Sequence, residues 1–243
     1  MTESITSVRN PLVREVVGLH SARGRRDADA VLVEGPTVLA EALATGRRPR
    51  LILTTDPEAW DDGADRVVAV SPAVLERVAT TVTPQDPVAV LDRPLGHPTS
   101  PLRLVAWQIT DPGNLGTIVR GAAAFGADLV VGGVGAADPW SPKALRAGAG
   151  AHFRICVAEA DDISAAIGDR PAAALVVDGG VDPGLLADRR PLCLVVGSEA
   201  HGLPTEVIDR CQARVTIPMP GGTESLNAAM AASIALYAMT RGH

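Results

Sequence analysis

Aromatic side chains make up only 2% of this 243-residue chain, while apolar residues make up 47%. A core of that composition is built from Ala, Val, Leu and Ile rather than from packed rings. Lysine is nearly absent: Lys143 is the single one, so Arg supplies 21 of the 22 basic residues. Arg offers a planar fork that matches phosphate, which a lysine point charge does not. Cysteine is scarce as well. Cys156, Cys193 and Cys211 are an odd number without metal-ligand spacing. That excludes a disulfide framework and fits reduced, buried thiols in a cytoplasmic protein. No apolar run approaches the roughly 20 residues of a membrane span. The first residues include Arg9, Arg14 and Glu15 and lack the apolar stretch of a signal peptide.

The net charge of −6 argues against a generic nucleic-acid coat. Its distribution is uneven. Residues 1–50 hold eight Arg against six acids, a local balance of +2, which leaves −8 for the remainder. Arg9, Arg14, Arg23, Arg25, Arg26, Arg47, Arg48 and Arg50 could form one basic face, or a solvated surface balanced by neighbouring acids.

Helix and strand signals alternate over the first 92 residues. Helices are expected at Pro11–Arg23, Pro36–Ala44 and Pro72–Ala79, and strands at Ala30–Val33, Leu51–Leu53, Val67–Val70 and Val88–Leu91. Three prolines and a glycine between Asp92 and Pro101 forbid continuous helix or a central strand. The organisation expected is an α/β domain at 1–92, a linker at 93–103 and a second domain at 104–243. In the second domain, Leu104–Ile109, Leu129–Val131, Ile155–Val157, Ala174–Val177 and Leu192–Val196 are apolar apart from Gln108. Apolar runs of this length suit parallel strands covered on both faces. Ser225–Thr240 reads as the strongest helix.

Three glycine-bearing segments fall at strand-to-helix junctions of this domain. They are Asp111-Pro112-Gly113-Asn114-Leu115-Gly116-Thr117-Ile118-Val119-Arg120, Gly197-Ser198-Glu199-Ala200-His201-Gly202 and Ile217-Pro218-Met219-Pro220-Gly221-Gly222-Thr223-Glu224-Ser225-Leu226-Asn227. Ligands of open α/β sheets gather at strand carboxyl ends, so the three point to one composite site. Asn114 suits a helix N-cap. Arg120 sits among apolar neighbours and is expected to need an anionic partner, either Glu199 or a substrate phosphate. Glu199 can serve a ribose hydroxyl, hold an Arg, or cap its own turn. Ser225 and Asn227 suit helix capping or a ligand. Ile217-Pro218-Met219 offers an apolar wall with free backbone groups, suited to an adenine ring. Other templates fail: Gly132-Gly133-Val134-Gly135 lacks the third glycine and helix start of a dinucleotide fingerprint. No Walker loop, nucleophile elbow or His/Cys metal set is present.

Together the three segments resemble the signature motifs of the SpoU (TrmH-like) RNA 2′-O-ribose methyltransferases of the SPOUT superfamily. Asn114, Gly116 and Arg120 meet the first motif. Gly197, Glu199 and Gly202 meet the second. Pro218, Met219, Gly221, Ser225, Leu226 and Asn227 meet the third. Ser141-Pro142-Lys143 through Arg146 and Gly150 resembles a further family stretch. The N-terminal part resembles the family's ribosomal-protein-like substrate-binding domain through Ser7–Leu12 and Val33-Glu34-Gly35. After Ser-Leu-Asn the family usually continues Val-Ser-Val-Ala, where this chain has Ala228-Ala229-Met230-Ala231.

The resemblance implies an α/β fold with a parallel sheet, a C-terminal trefoil knot and a homodimer with its active site near the interface. It implies S-adenosylmethionine as methyl donor, no metal, and a ribose 2′-hydroxyl of structured RNA as acceptor. Ribosomal RNA is favoured over transfer RNA, because an added N-terminal domain suits a folded target. Asn114, Arg120, Glu199, Ser225 and Asn227 are the implied catalytic set. Gly197, Ile217, Met219, Leu226 and Asn227 are the implied donor-binding set. Within the catalytic set, Arg120 is expected to bind the phosphate beside the target ribose, with Glu199 holding it in place. The rival readings are a transfer-RNA methyltransferase, a non-catalytic RNA-binding protein and an ordinary nucleotide-dependent enzyme.

Overall fold

The computed structural model describes residues 4–60, 63–94 and 96–241; Leu95 of the linker lies outside them. By packing, the chain forms two units: residues 1–94 with 140–153, and residues 95–139 with 154–243.

The first unit runs β1 (Ser4–Ile5), α1 (Pro11–Gly18), α2 (Ala22–Asp27), β2 (Ala30–Glu34), α3 (Pro36–Ala44), β3 (Leu51–Thr54), β4 (Val67–Val70), α4 (Pro72–Val78) and β5 (Val88–Asp92). Its sheet order is β1-β4-β3-β5-β2, with β5 antiparallel to both neighbours and the remaining pairs parallel. The helix expected at Pro11–Arg23 is two helices. Ser21 Oγ accepts from Gly24 N at 3.0 Å and so starts α2 afresh after the turn at Leu19–Ser21. Arg25, read as part of a basic face, is only 3% exposed, and its Nη1 donates to Leu19 O and His20 O at 2.7 and 2.9 Å. Arg23, Arg48 and Arg50 pair with Asp27, Asp65 and Asp92. Three of the eight N-terminal Arg are thus paired with acids of the same unit, and Arg25 is buried on backbone carbonyls.

The chain enters the second unit with β6 (Leu102–Trp107), α5 (Pro112–Ala124) and β7 (Asp128–Gly132). It returns to the first unit for α6 (Pro142–Ala147), then re-enters with β8 (Val157–Ala160), α7 (Ile163–Ile167), β9 (Ala172–Leu175), β10 (Leu192–Val196), α8 (Thr205–Ile208), β11 (Ala213–Val215) and α9 (Ala228–Thr240). The six strands are all parallel, in the order β11-β9-β10-β6-β7-β8. In register, Leu129, Leu104, Leu194 and Ala173 form one row across the sheet, and Val130, Val105, Val195 and Ala174 form the next. Paired residues share a face and successive ones alternate, so both faces are apolar and buried. The Val105 row packs with Ala166 and Ile167 of α7 and Val207 of α8. Helix α5 packs on β6 and β7, with α9 alongside it. Asp128, buried at the start of β7, accepts from Thr99 N, Ser100 N and Cys156 N and so fixes the end of the linker to the sheet.

Helix α6 is held in the first unit by a buried carboxylate. The Glu34 side chain is 1% exposed, with Arg146 Nη1 3.6 Å from its Oε2. Thr80 N and Thr80 Oγ1 donate to Glu34 at 2.7 Å each, Gln85 N at 3.1 Å, and Thr81 Oγ1 donates as well. Burial alone would raise the Glu34 pKa. The hydrogen bonds from Thr80, Thr81 and Gln85 outweigh that and hold it below its ordinary value.

Candidate active site

The carboxyl ends of β9, β10 and β11 open into a cleft with about 630 Å³ of empty space, its mouth included. Leu175, Val176, Val177, Val196, Ile217, Met219, Leu226, Ala228 and Ala231 give it apolar walls. Gly197, Ser198, Glu199 and Ser225 lie along its polar side. Val177, past the end of β9, is 59% exposed in this wall. An apolar cleft with few polar groups at strand ends is the usual form of a nucleoside-type site.

Two glycines shape the floor. Gly202 N donates to Ser198 O at 2.9 Å, closing the turn that follows β10, and Gly202 takes φ 65°, which suits glycine. A Cβ on Gly197 would collide with the Gly202 backbone, so the turn closes only on glycine. This turn presents Glu199 above the strand end.

Three predicted site residues meet there. Asn114 Nδ2 donates to Glu199 Oε1, and Asn227 Nδ2 donates to Asn114 Oδ1 at 3.1 Å. Asn227 Nδ2 also reaches Glu199 Oε1 at 3.5 Å. Asn227 Oδ1 meanwhile accepts from Ala229 N and Met230 N at 3.0 and 3.2 Å, capping α9. The cap of α5 is Asp111, whose Oδ1 accepts from Asn114 N at 2.9 Å. Asn114 was a cap candidate from sequence; with Asp111 in that role, its side chain is left for Glu199 and Asn227. Ser225 stands at the cleft rim.

Arg120 departs from the expectation of a buried partner for Glu199. It is exposed, and among the described residues it makes no hydrogen bond or ion pair. The reason is helical phase. Leu115, Ile118, Val119 and Ala122 face inward, so Thr117, Arg120 and Ala124 fall on the outer face. Arg120 lies about 9 Å along α5 from Asn114, and helical side chains lean toward the N-terminus, here toward the cluster. The apolar neighbours of Arg120 in sequence concealed this outward position.

Sequence reasoning missed Leu175, Val176, Val177 and Ser198 as cleft residues. The apolar stretch running past the end of β9 was the available signal. Among the described residues, no group of three or more His, Cys, Asp or Glu could hold a metal, and no helix is long and apolar enough to cross a membrane.

Comparison with known proteins gives the family. Residues 101–237 match the SpoU rRNA Methylase family, and residues 10–89 match an MRM3-like substrate binding domain. The chain is 31% identical to the 23S rRNA (guanosine(2553)-2′-O)-methyltransferase RlmP of Bacillus subtilis, over 97% of this chain and 98% of that protein. It is 33% identical to an uncharacterised tRNA/rRNA methyltransferase of Synechocystis, over 98% and 93%. Among solved structures, an AdoMet-bound rRNA methyltransferase of Sinorhizobium meliloti superposes with a TM-score of 0.86 at 28% identity, covering 99% of this chain and 98% of that one. The chain belongs to the SpoU rRNA methylase family.

Proposed function

We propose that this protein methylates a ribose 2′-hydroxyl of ribosomal RNA, using S-adenosylmethionine. The observation that carries the reading is the Asn114–Glu199–Asn227 cluster standing beside an apolar cleft at strand carboxyl ends. The cleft fits the donor: its apolar walls suit an adenine, and the Glu199 carboxylate suits a cationic sulfonium group. Gly197, Ile217, Met219, Leu226 and the helix cap Asn227 would hold the donor, with Val177 closing the wall. S-adenosylmethionine supplies an electrophilic methyl group when bound.

The remaining chemistry belongs to side chains of this protein. Asn114, oriented by Glu199 and Asn227, positions the target nucleotide. Ser225 at the rim orients the reacting ribose. A guanidinium offers only N–H donors, so the role of Arg120 is to bind rather than to accept a proton. Its free guanidinium binds the phosphate beside the target ribose and stabilises negative charge building on the 2′-oxygen. Relatives named as rRNA methyltransferases, and the MRM3-like match at residues 10–89, support ribosomal RNA over transfer RNA and a substrate-binding role for the N-terminal domain.

Two further features belong to the same reading. Met230, Ile234 and Tyr237, spaced i, i+4 and i+7, are exposed along one stripe of α9. A second copy of the chain covers this stripe and brings Arg120, on the neighbouring α5, close to the dimer interface. The segment from edge strand β11 to α9 returns to pack along α5; on the proposed reading this segment is threaded as a trefoil knot. The enzyme works with its RNA in the cytoplasm.

Calorimetric titration with S-adenosylmethionine, followed by transfer of tritiated methyl to unmodified ribosomal and transfer RNA, tests this function. Donor binding with label in ribosomal RNA is the expected result. Label in transfer RNA alone would overturn the substrate class. Absence of donor binding would leave an RNA-binding protein in place of the enzyme.

A further inference from the structure

The Gly132-Gly133-Val134-Gly135 stretch has no dinucleotide fingerprint, yet its backbone is closely specified. Ala136 N donates to Gly133 O at 3.2 Å, and Gly135 takes φ 80°, as in a type II turn. Val134 occupies the tip and is 91% exposed. A lone exposed valine is ordinary on a protein surface; this one is fixed in place from below.

The turn is tied to the end of β6 on both sides. Gln108 N donates to Gly132 O at 2.8 Å, and Ala137 N donates to Ile109 O at 2.8 Å. At Gly133, φ is 88°, and a Cβ there would lie 2.6 Å from Gln108 Cγ and 3.0 Å from the buried Trp107 ring. Gln108 itself holds φ 55°, an unfavourable conformation for a residue other than glycine. It stands where β6 gives way to Ile109–Asp111, the segment leading into α5 and Asn114. Two adjacent strand ends, each with unusual backbone, thus hold Val134 at the same edge of the sheet as Asn114.

We propose that Val134 is an RNA contact, the apolar tip against which an unstacked base at or beside the target nucleotide packs. The proposal rests on the methyltransferase reading of the site. Presenting a single ribose to Asn114 and Arg120 takes its nucleotide out of regular stacking; unstacked bases are received mostly on aromatic rings, and flipped ones on aromatic or apolar side chains. Trp107 lies beneath the turn but is buried, so the aliphatic tip is what this edge offers.

The test compares wild type with Val134→Asn and Val134→Ala, using an in-vitro transcript of 23S ribosomal RNA. KM for the RNA in methyl transfer, the Kd for S-adenosylmethionine and Tm are measured for each. Val134→Asn should raise the RNA KM roughly 5- to 20-fold, and Val134→Ala should raise it less, with donor affinity and Tm unchanged. An unchanged RNA KM overturns the proposal. So does a rise matched by loss of donor affinity or Tm, because that marks a structural role. If wild type transfers no methyl, the methyltransferase reading fails instead. Filter binding of the transcript then decides the tip separately: equal affinities for wild type and Val134→Asn overturn it.

Discussion

Asn227 donates to Asn114 at 3.1 Å across 113 residues of sequence, joining the N-terminal ends of α9 and α5 beneath one carboxylate, Glu199. Because Asn227 also caps α9 through its Oδ1, the position of that helix and the orientation of Asn114 are set by one side chain. Asn227→Ala should therefore lower both stability and activity. Loss of an N-cap costs about 1 kcal/mol, seen as a Tm drop of a few degrees. Asn227→Asp keeps the cap but cannot donate to Asn114. It should retain most of the stability and still lose turnover at least about 10-fold, which separates the two roles.

Arg120 is exposed and unpaired among the described residues, so its removal should leave the fold intact. Arg120→Ala is expected to reduce kcat by about 10²- to 10³-fold, the magnitude for losing one charge-stabilising group, with Tm within about 1 °C of wild type. Arg120→Lys should recover only part of the rate, since a point charge does not reproduce the guanidinium fork. Full activity in Arg120→Lys would remove fork geometry from the account.

Gly121 of α5 packs directly against Ser233 of α9. A Cβ there would lie 2.7 Å from Ser233 Oγ, whose hydroxyl is engaged with Ala229 O at 2.8 Å. Gly121→Val should overpack this contact and destabilise the protein by roughly 1–3 kcal/mol. Denaturant unfolding of the variant measures it. Gly121→Val with Ser233→Gly should recover part of the loss.

Glu34 gives a pH signature. Its folded pKa lies below the ordinary value of 4.5. Its stabilisation is thus fully present above the unfolded pKa and fades as pH falls through the lower folded one. Glu34→Gln should be destabilised at pH 7, and its deficit in Tm should shrink as pH is lowered below about 4.5. A deficit constant from pH 7 to pH 3 would contradict the assignment.

The composition and motif pattern made much of this legible. Leu192–Val196 is a strand over the whole stretch where it was expected, because an unbroken apolar run between polar ends has few other uses in a parallel sheet. Pro36–Ala44 is likewise the helix expected. The last helix starts at Ala228 rather than Ser225, since Asn227 spends its side chain as the cap. Edge strand β11 went unseen because its exposed Arg214 breaks a three-residue apolar pattern. The packing of Pro142–Ala147 into the first unit rests on the tertiary contact of Arg146 with Glu34 and Thr80, which no local pattern announces. At the site, the residue types were readable but their partners were not. Burial of Arg120 was inferred from its neighbours in sequence, whereas the helical period turned it outward.

The position of the transferred methyl is the most direct test of the central claim. Ribosomal RNA incubated with the protein and S-adenosylmethionine is digested to nucleosides and analysed by mass spectrometry. The account predicts one 2′-O-methylated nucleoside, its initial yield cut about 10²- to 10³-fold when Arg120→Ala replaces the wild-type protein. A methyl on a base, or an equal yield from Arg120→Ala, would contradict it.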